Sequence, residues 1–338
     1  MKISVLGAGS WGIALSLHLK RAGHEVSLWN HDPVKAEQLF QERENKRLLP
    51  GVLLPQEVHV TSDMGRALEG CNGVVFAVPS QAVRSAARKA VETLPLSAWV
   101  VCATKGLEED SHLRMSEILK QTFKNGTLIA ALSGPSHAEE VSRKMPTTVV
   151  AASSDPGLPK TIQDVFHSDY FRVYTSSDIT GVELGGSLKN VIAIAAGITD
   201  GLGLGDNSKA ALMTRGLHEI ARLGVALGAQ AQTFAGLAGM GDLIVTCTSR
   251  YSRNRLLGEK IGKGASLEAA LKEMVMVAEG VKTSRAAVEL ARRMNVEVPV
   301  TQEVHQVLFE GKNVKEAVKS LLSRTARPEY DTTERISF

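Results

Sequence analysis

Lys2-Ile3-Ser4-Val5-Leu6-Gly7-Ala8-Gly9-Ser10-Trp11-Gly12 opens this chain and decides how the rest is read. Ile3, Val5 and Leu6 make a short apolar run, three glycines follow at G-x-G-x-x-G spacing, and residues 13–21 form an amphipathic stretch. Strand, glycine turn and helix in that order give the spacing its meaning. Gly7 takes the backbone angles of a tight turn, and Gly9 has no side chain to block a pyrophosphate. Gly12 lets the helix pack close to the strand. Unpaired N–H groups at the start of the helix then face the phosphates. Glycines also mark ordinary turns, but this position favours dinucleotide binding.

Strand and helix signals alternate outward from this stretch. Residues 24–29 predict a second strand, 33–44 a polar helix, and 73–78 a buried parallel strand ending at Pro79. Residues 81–93 and 112–122 predict helices, 99–103 a strand, and 128–132 a strand running into Ser133-Gly134-Pro135-Ser136. Two further strands are expected at 147–152 and 170–174, with a helix at 158–166 between them. The rhythm is that of an α/β chain with a Rossmann-type doubly wound parallel sheet. It stops near Ser177. Helices are then predicted at 184–198, 209–227, 251–263, 267–274, 281–292, 301–310 and 314–322, with breaks at 201–205, 239–241 and Pro299. The expected division is a dinucleotide-binding domain over 1–178 and a separate all-helical substrate and catalytic domain over 179–338. The polar tail after Arg327 is expected to fray.

A length of 338 residues suits two cores rather than one. Lys plus Arg number 39 against 36 Asp plus Glu, a balance that gives no general attraction to nucleic acid or anionic membrane. Cys71, Cys102 and Cys247 form no C-x-x-C pair, which suits a reducing compartment and argues against a disulfide framework or zinc cluster. The nine histidines include no H-x-x-x-H pair, so no metal site is expected. Lys2 before an apolar run has only the superficial look of a leader, because glycines split the run. No stretch is read as reaching the roughly 18 apolar residues of a membrane span, and the expectation is a cytoplasmic protein.

Ligands of open α/β sheets lie beyond the carboxyl ends of the strands. Lys105 falls there, in Ala103-Thr104-Lys105-Gly106, where it could grip an anion or polarise a carbonyl or simply be an exposed loop lysine. Ser136 falls there too, as a substrate contact, a helix cap or both. The sharpest signal is Lys189, the one charged residue in the apolar stretch 184–198. Lysines are rarely buried unpaired. Either Lys189 snorkels from a one-sided helix, or it faces a cleft where burial lowers its pKa towards neutrality for proton exchange. Asn190 could hydrogen-bond substrate, and Asp242, in Gly239-Met240-Gly241-Asp242, could pair with the ammonium. Ser252, Arg253 and Asn254 make a compact anion site suited to phosphate. A nucleic-acid patch is the weaker reading, since Tyr251 is the only interleaved aromatic.

Residues 7–12, ATKG at 103–106, SGPSHAEEV at 133–141, ELGGSLKNVIAIAAGITDGL at 183–202 and GLAGMGDLIVTCTSRYSRNR at 236–255 together resemble bacterial-type NAD(P)-dependent glycerol-3-phosphate dehydrogenases. The resemblance runs in order along essentially the whole chain. It implies reversible hydride transfer between NAD(P)H and dihydroxyacetone phosphate, giving sn-glycerol 3-phosphate for phospholipid synthesis. It matches Lys189 to the family's proton-exchanging lysine and Lys105 to its second active-site lysine. Gly134, Ser136, Asp242, Ser252, Arg253 and Asn254 match substrate-binding positions, and Asn190 and Thr246 match polar positions lining the site. Ser10, Trp11, His31, Ala138, Val277 and Glu279 match cofactor contacts, with Lys105 and Arg253 near both ligands. Asn30 and His31 follow Trp29 where an NAD site usually carries an acid, and Asp32 comes late, so NADP is favoured with NAD accepted.

Three other readings stay open on the residues. A β-hydroxyacid dehydrogenase would share the two-domain plan and lysine but would not need a phosphate site at Arg253 and Asn254. A non-catalytic dinucleotide sensor would leave Lys189 and Asp242 without a purpose. His137 is a competing acid–base group, since histidine titrates near neutrality. A helical second domain rich in apolar residues is compatible with a homodimer.

Overall fold

The computed structural model describes residues 1–274, 276–326 and 328–329, and all but Pro328 and Glu329 of the tail expected to fray lies outside them. The chain separates into two compact units. One comprises Met1–Lys105 and Leu113–Ile179. The other comprises Gly106–His112 and the described residues from Thr180 onward.

The first unit is built on an eight-stranded sheet in the order β3-β2-β1-β4-β5-β6-β7-β8. The strands are β1 (Lys2–Leu6), β2 (Glu25–Trp29), β3 (His59–Thr61), β4 (Gly73–Phe76), β5 (Trp99–Cys102), β6 (Ile129–Ser133), β7 (Thr147–Ala152) and β8 (Phe171–Ser176). The central strands are buried on both faces because helices cover both sides, as a parallel sheet requires. Strand order reverses between β1 and β4, whose residues pair Ile3 with Gly73 through Leu6 with Phe76. Gly7 leaves β1 at this switch point, where open α/β sheets take their ligands.

Two features depart from the sequence expectation. β3 is an added strand, only three residues long with Val60 alone buried, too short to give an alternating signal. β6 and β7 pair antiparallel within an otherwise parallel sheet. The link between them, residues 134–146, holds only the five-residue helix Ala138–Ser142. A parallel return needs a full crossover, so the short link turns the strand back instead.

The second unit is helical, and no strand occurs among its described residues. Helix Ile179–Gly201 runs through it and is buried along its length. This helix is long and apolar enough to cross a membrane, contrary to the sequence expectation, yet its most apolar window is wholly buried inside the protein. Helix Arg253–Gly262 crosses it at backbone contact. A Cβ on Gly197 would stand 1.9 Å from the Arg255 carbonyl oxygen, and one on Gly258 would stand 2.0 Å from that of Ile194. Gly201 and Gly262 meet in the same seam. The G-x-x-x-G spacing on both helices places the small residues one turn apart on one face.

Residues 239–241, read from sequence as a break, instead form part of a π-helical turn, Leu237–Gly241, that runs directly into helix Asp242–Thr248. Single π turns of this kind recur at functional sites. Pro299 likewise opens helix Pro299–Phe309 rather than separating helices, since its missing N–H is one the first turn does not use.

Candidate active site

In the first unit, the glycine turn is built as its spacing demands. Gly7 has φ +116°, and a Cβ there would lie 2.7 Å from the Ala77 carbonyl oxygen. A Cβ on Gly12 would overlap the Gly7 carbonyl oxygen at 1.7 Å, so Gly12 sets the helix-to-strand approach. Gly9 is different. Nothing lies within 4 Å of its missing Cβ, and it stands at the N-cap of helix Ser10–Arg21 without a side-chain cap. Open space in front of a helix N-terminus fits a dinucleotide pyrophosphate. The Trp11 indole N–H donates to the Ala103 carbonyl at 3.2 Å, tying this helix to the loop after β5.

Lys105 closes that loop. Its ammonium donates to the Gly134 carbonyl at 2.8 Å and to Ser136 Oγ at 3.4 Å. Ser136 Oγ donates in turn to the Gly134 carbonyl at 2.9 Å. Gly134 has φ +135° and packs on β7, where a Cβ would stand 3.0 Å from Val149 Cα. Lys105, Gly134 and Ser136 are thus one hydrogen-bonded group, with buried Ala138 opening the next helix and His137 at its N-cap. His31 is exposed at the end of β2, its ring 6.4 Å from that of Trp29. Asp32 is committed elsewhere: its carboxylate accepts from the N–H groups of Val34 at 3.0 Å and Lys35 at 3.3 Å. Hydrogen bonding to the Lys35 ammonium, 2.9 Å away, helps hold that carboxyl below its ordinary pKa.

In the second unit, Lys189 is only 5% exposed. Its ammonium pairs with the Asp242 carboxylate and donates to Thr246 Oγ1 at 2.7 Å. The Thr246 hydroxyl spends its own hydrogen on the Asp242 carbonyl, 2.6 Å away, so towards Lys189 it can only accept. Asp242 and Thr246 lie one turn apart on helix Asp242–Thr248 and grip the ammonium from one side. Burial pushes the neighbouring Cys247 thiol up to about 12, which keeps it neutral and poorly nucleophilic.

Ser252 caps helix Arg253–Gly262, accepting from Arg255 N–H at 3.2 Å. Arg253, half-buried in the first turn, has no hydrogen-bond or ion-pair partner among the described residues. A cation without a protein counter-ion at a helix N-terminus suits a phosphate. Asn254 is buried and bonded to Asn190, 2.9 Å away, and to Gly280 N–H. Glu279 begins helix Glu279–Met294, and Val277 lies half-exposed just before it.

Sequence reasoning passed over Gly280 and the glycine seam. The seam had a signal in the repeated spacing of Gly197 with Gly201 and Gly258 with Gly262. Gly280 had none, because its partners are remote in sequence.

The family "NAD-dependent glycerol-3-phosphate dehydrogenase N-terminus" matches residues 2–158, and the corresponding C-terminus family matches residues 178–319. The chain belongs to this dehydrogenase family. Among relatives of this dehydrogenase, glycerol-3-phosphate dehydrogenase (NAD(P)+) of Thermoanaerobacter sp. is 53% identical over 97% of this chain and 99% of its own. That of Geobacillus thermodenitrificans is 51% identical over 97% of this chain and 96% of its own. The crystal structure of glycerol-3-phosphate dehydrogenase from Coxiella burnetii is similar at a TM-score of 0.92, with 38% identity, covering 96% of this dehydrogenase and 99% of that chain. The family, these relatives and that structure establish an NAD(P)-using oxidoreductase with a Rossmann-like N-terminal part and a helical C-terminal part.

Proposed function

We propose that this chain catalyses the reversible reduction of dihydroxyacetone phosphate to sn-glycerol 3-phosphate, supplying the glycerol backbone of phospholipids. The observation that carries the reading is the buried Lys189 ammonium, gripped by Asp242 and Thr246 in the same unit as the unpartnered Arg253. Reduced nicotinamide supplies the hydride that converts the C2 carbonyl to an alcohol. Lys189 stabilises the negative charge that develops on the carbonyl oxygen and donates the proton that completes the alcohol. In the oxidative direction the neutral amine accepts that proton. Asp242 and Thr246 orient Lys189. Arg253, Asn254 and the helix start capped by Ser252 hold the phosphate, so that remote binding energy positions the reacting carbon. Lys105, Gly134 and Ser136 complete the substrate contacts, and Asn190 lines the site. Gly7, Gly9, Gly12, Ser10, Trp11, His31, Ala138, Val277 and Glu279 hold the cofactor.

Within this proposal NADPH is preferred and NADH accepted. The carboxylate nearest the end of β2 is taken up capping a helix, so the position that would repel a 2′-phosphate carries Asn30 and His31 instead. Three buried cysteines that form no disulfide suit a reducing, cytoplasmic setting. A homodimer is the assembly in keeping with this reading.

The test is NADPH oxidation with dihydroxyacetone phosphate by the wild type and Lys189→Ala. Expected is robust wild-type turnover that drops by about 10³-fold or more in a folded variant that still binds NADPH. Surviving turnover would move the proton chemistry to Lys105 or His137. The same assay with NADH sets the cofactor order, and a preference for NADH of about tenfold or more would overturn it.

A further inference from the structure

The amides of Asn190 and Asn254 are joined head to tail between two backbone groups. Gly280 N–H donates to Asn254 Oδ1 at 2.9 Å, and Asn254 Nδ2 donates to Asn190 Oδ1 at 2.9 Å. Asn190 Nδ2 completes the chain on the Gly186 carbonyl of its own helix, at 3.5 Å. An asparagine amide can be turned over, exchanging oxygen for nitrogen, but a backbone N–H can only donate. The Gly280 N–H therefore admits one orientation of Asn254, and Asn254 admits one orientation of Asn190.

That orientation leaves Asn254 Nδ2 with a second hydrogen, which has no acceptor among the described residues. Asn254 lies in the first turn of its helix, directly after Arg253, whose guanidinium is also without a protein partner. Two unused donor groups thus follow one another at the same helix start. The residue type at 280 is set by space. A Cβ there would lie 2.6 Å from the Asn190 carbonyl oxygen and 2.8 Å from Ile194 Cδ1, so glycine alone brings its N–H this close.

We infer that Gly280 is a positioning residue for the substrate phosphate: its N–H turns the Asn254 amide so that a donor, not a carbonyl oxygen, is offered beside Arg253. The inference rests on the phosphate site of the proposed function. An amide held the other way would set an oxygen against the anion and repel what Arg253 attracts. Gly280 touches neither substrate nor cofactor in this role and acts through Asn254.

Steady-state kinetics with NADPH test this, comparing dihydroxyacetone phosphate with unphosphorylated dihydroxyacetone for the wild type, Gly280→Ala and Asn254→Asp. Asn254→Asp keeps an acceptor for Gly280 N–H but has no hydrogen to donate, so it carries the test even if Gly280→Ala does not fold. Expected is a rise in KM for the phosphorylated substrate of about tenfold in Gly280→Ala and about 100-fold in Asn254→Asp, with kcat held within about threefold in Gly280→Ala. For dihydroxyacetone, kcat/KM should stay within about threefold of wild type in Gly280→Ala. Equal losses on the two substrates would make Gly280 a packing residue and overturn the inference, as would an unchanged KM in Asn254→Asp. A wild type without turnover of dihydroxyacetone phosphate would fail the function reading instead. Calorimetric binding of inorganic phosphate then decides, with weaker binding required in both variants and equal binding overturning the inference.

Discussion

Both units of the molecule depend on glycine, and they use it in opposite ways. In the first unit Gly9 leaves space that the protein does not fill. In the second, Gly197, Gly201, Gly258 and Gly262 leave space that another helix fills at once. A missing side chain is the same chemical fact in both places, but in one it makes room for a ligand and in the other for a backbone. The units differ in their lysines as well. Lys105 donates to a carbonyl and a hydroxyl in a half-buried loop, whereas Lys189 is buried against a carboxylate. An ammonium paired with neutral acceptors can be lost cheaply. One that neutralises a buried carboxylate cannot.

The largest expected effect tests the lysine contrast. Lys189→Ala leaves the Asp242 carboxylate buried without its counter-ion and should destabilise by about 3–5 kcal/mol, with much of the loss recovered by adding Asp242→Asn. Lys105→Ala should cost about 1 kcal/mol. Denaturant midpoints measure both, and equal losses would break the contrast.

The glycine contrast comes next. Gly258→Ala forces a Cβ against the Ile194 carbonyl and should destabilise by about 3 kcal/mol, the upper end for overpacking. Gly9→Ala meets nothing within 4 Å, so its thermal midpoint should stay close to wild type while NADPH affinity falls. A large loss of stability in Gly9→Ala would show that the space is structural.

A third contrast is in titration, with opposite signs. Burial pushes His18, in the first unit, down to about 4 from an ordinary 6.5. Its ring is held between the Tyr170 hydroxyl at 3.0 Å and the Phe166 carbonyl at 2.7 Å. Its contribution is full above pH 6.5 and lost as pH falls through about 4. Burial pushes Glu219, in the second unit, up to about 7 from an ordinary 4.5, against the downward pull of Val300 N–H, Thr301 N–H and the Thr301 hydroxyl. A raised acid favours the fold while protonated, so its contribution is full below pH 4.5 and lost as pH rises through about 7. Each is worth roughly 3 kcal/mol at full extent. The two offset one another in the wild type. Relative to wild type, His18→Gln should gain thermal stability as pH falls and Glu219→Gln as pH rises. Profiles that move together would break the contrast.

Much of the first unit was legible because its signals are local. The apolar runs of β1, β2, β4, β5 and β7 are each bounded by their own turn residues. The direction of β7 was not legible, because pairing depends on the length of the connection rather than on the strand. In the second unit the helices could be read, while the π turn at Leu237–Gly241 could not, since Gly-rich sequence ordinarily breaks a helix. At the site, Lys189 stood out as a charge in an apolar run.

By itself the sequence determined what nearest neighbours along the chain control. That includes the backbone angles of Gly7, the cap at Ser252, the apolar character of helix Ile179–Gly201 and the presence of a lysine within it. Tertiary structure alone decided which groups meet. Asp242 reaches Lys189 from 53 positions away, and Gly280 N–H reaches Asn254 from 26. Hydrogen bonds and ion pairs between such groups form only after packing has fixed the helices, because no local preference brings them together. The residue types supply the chemistry; the helix crossings give the lysine its counter-ion and Asn254 its orientation.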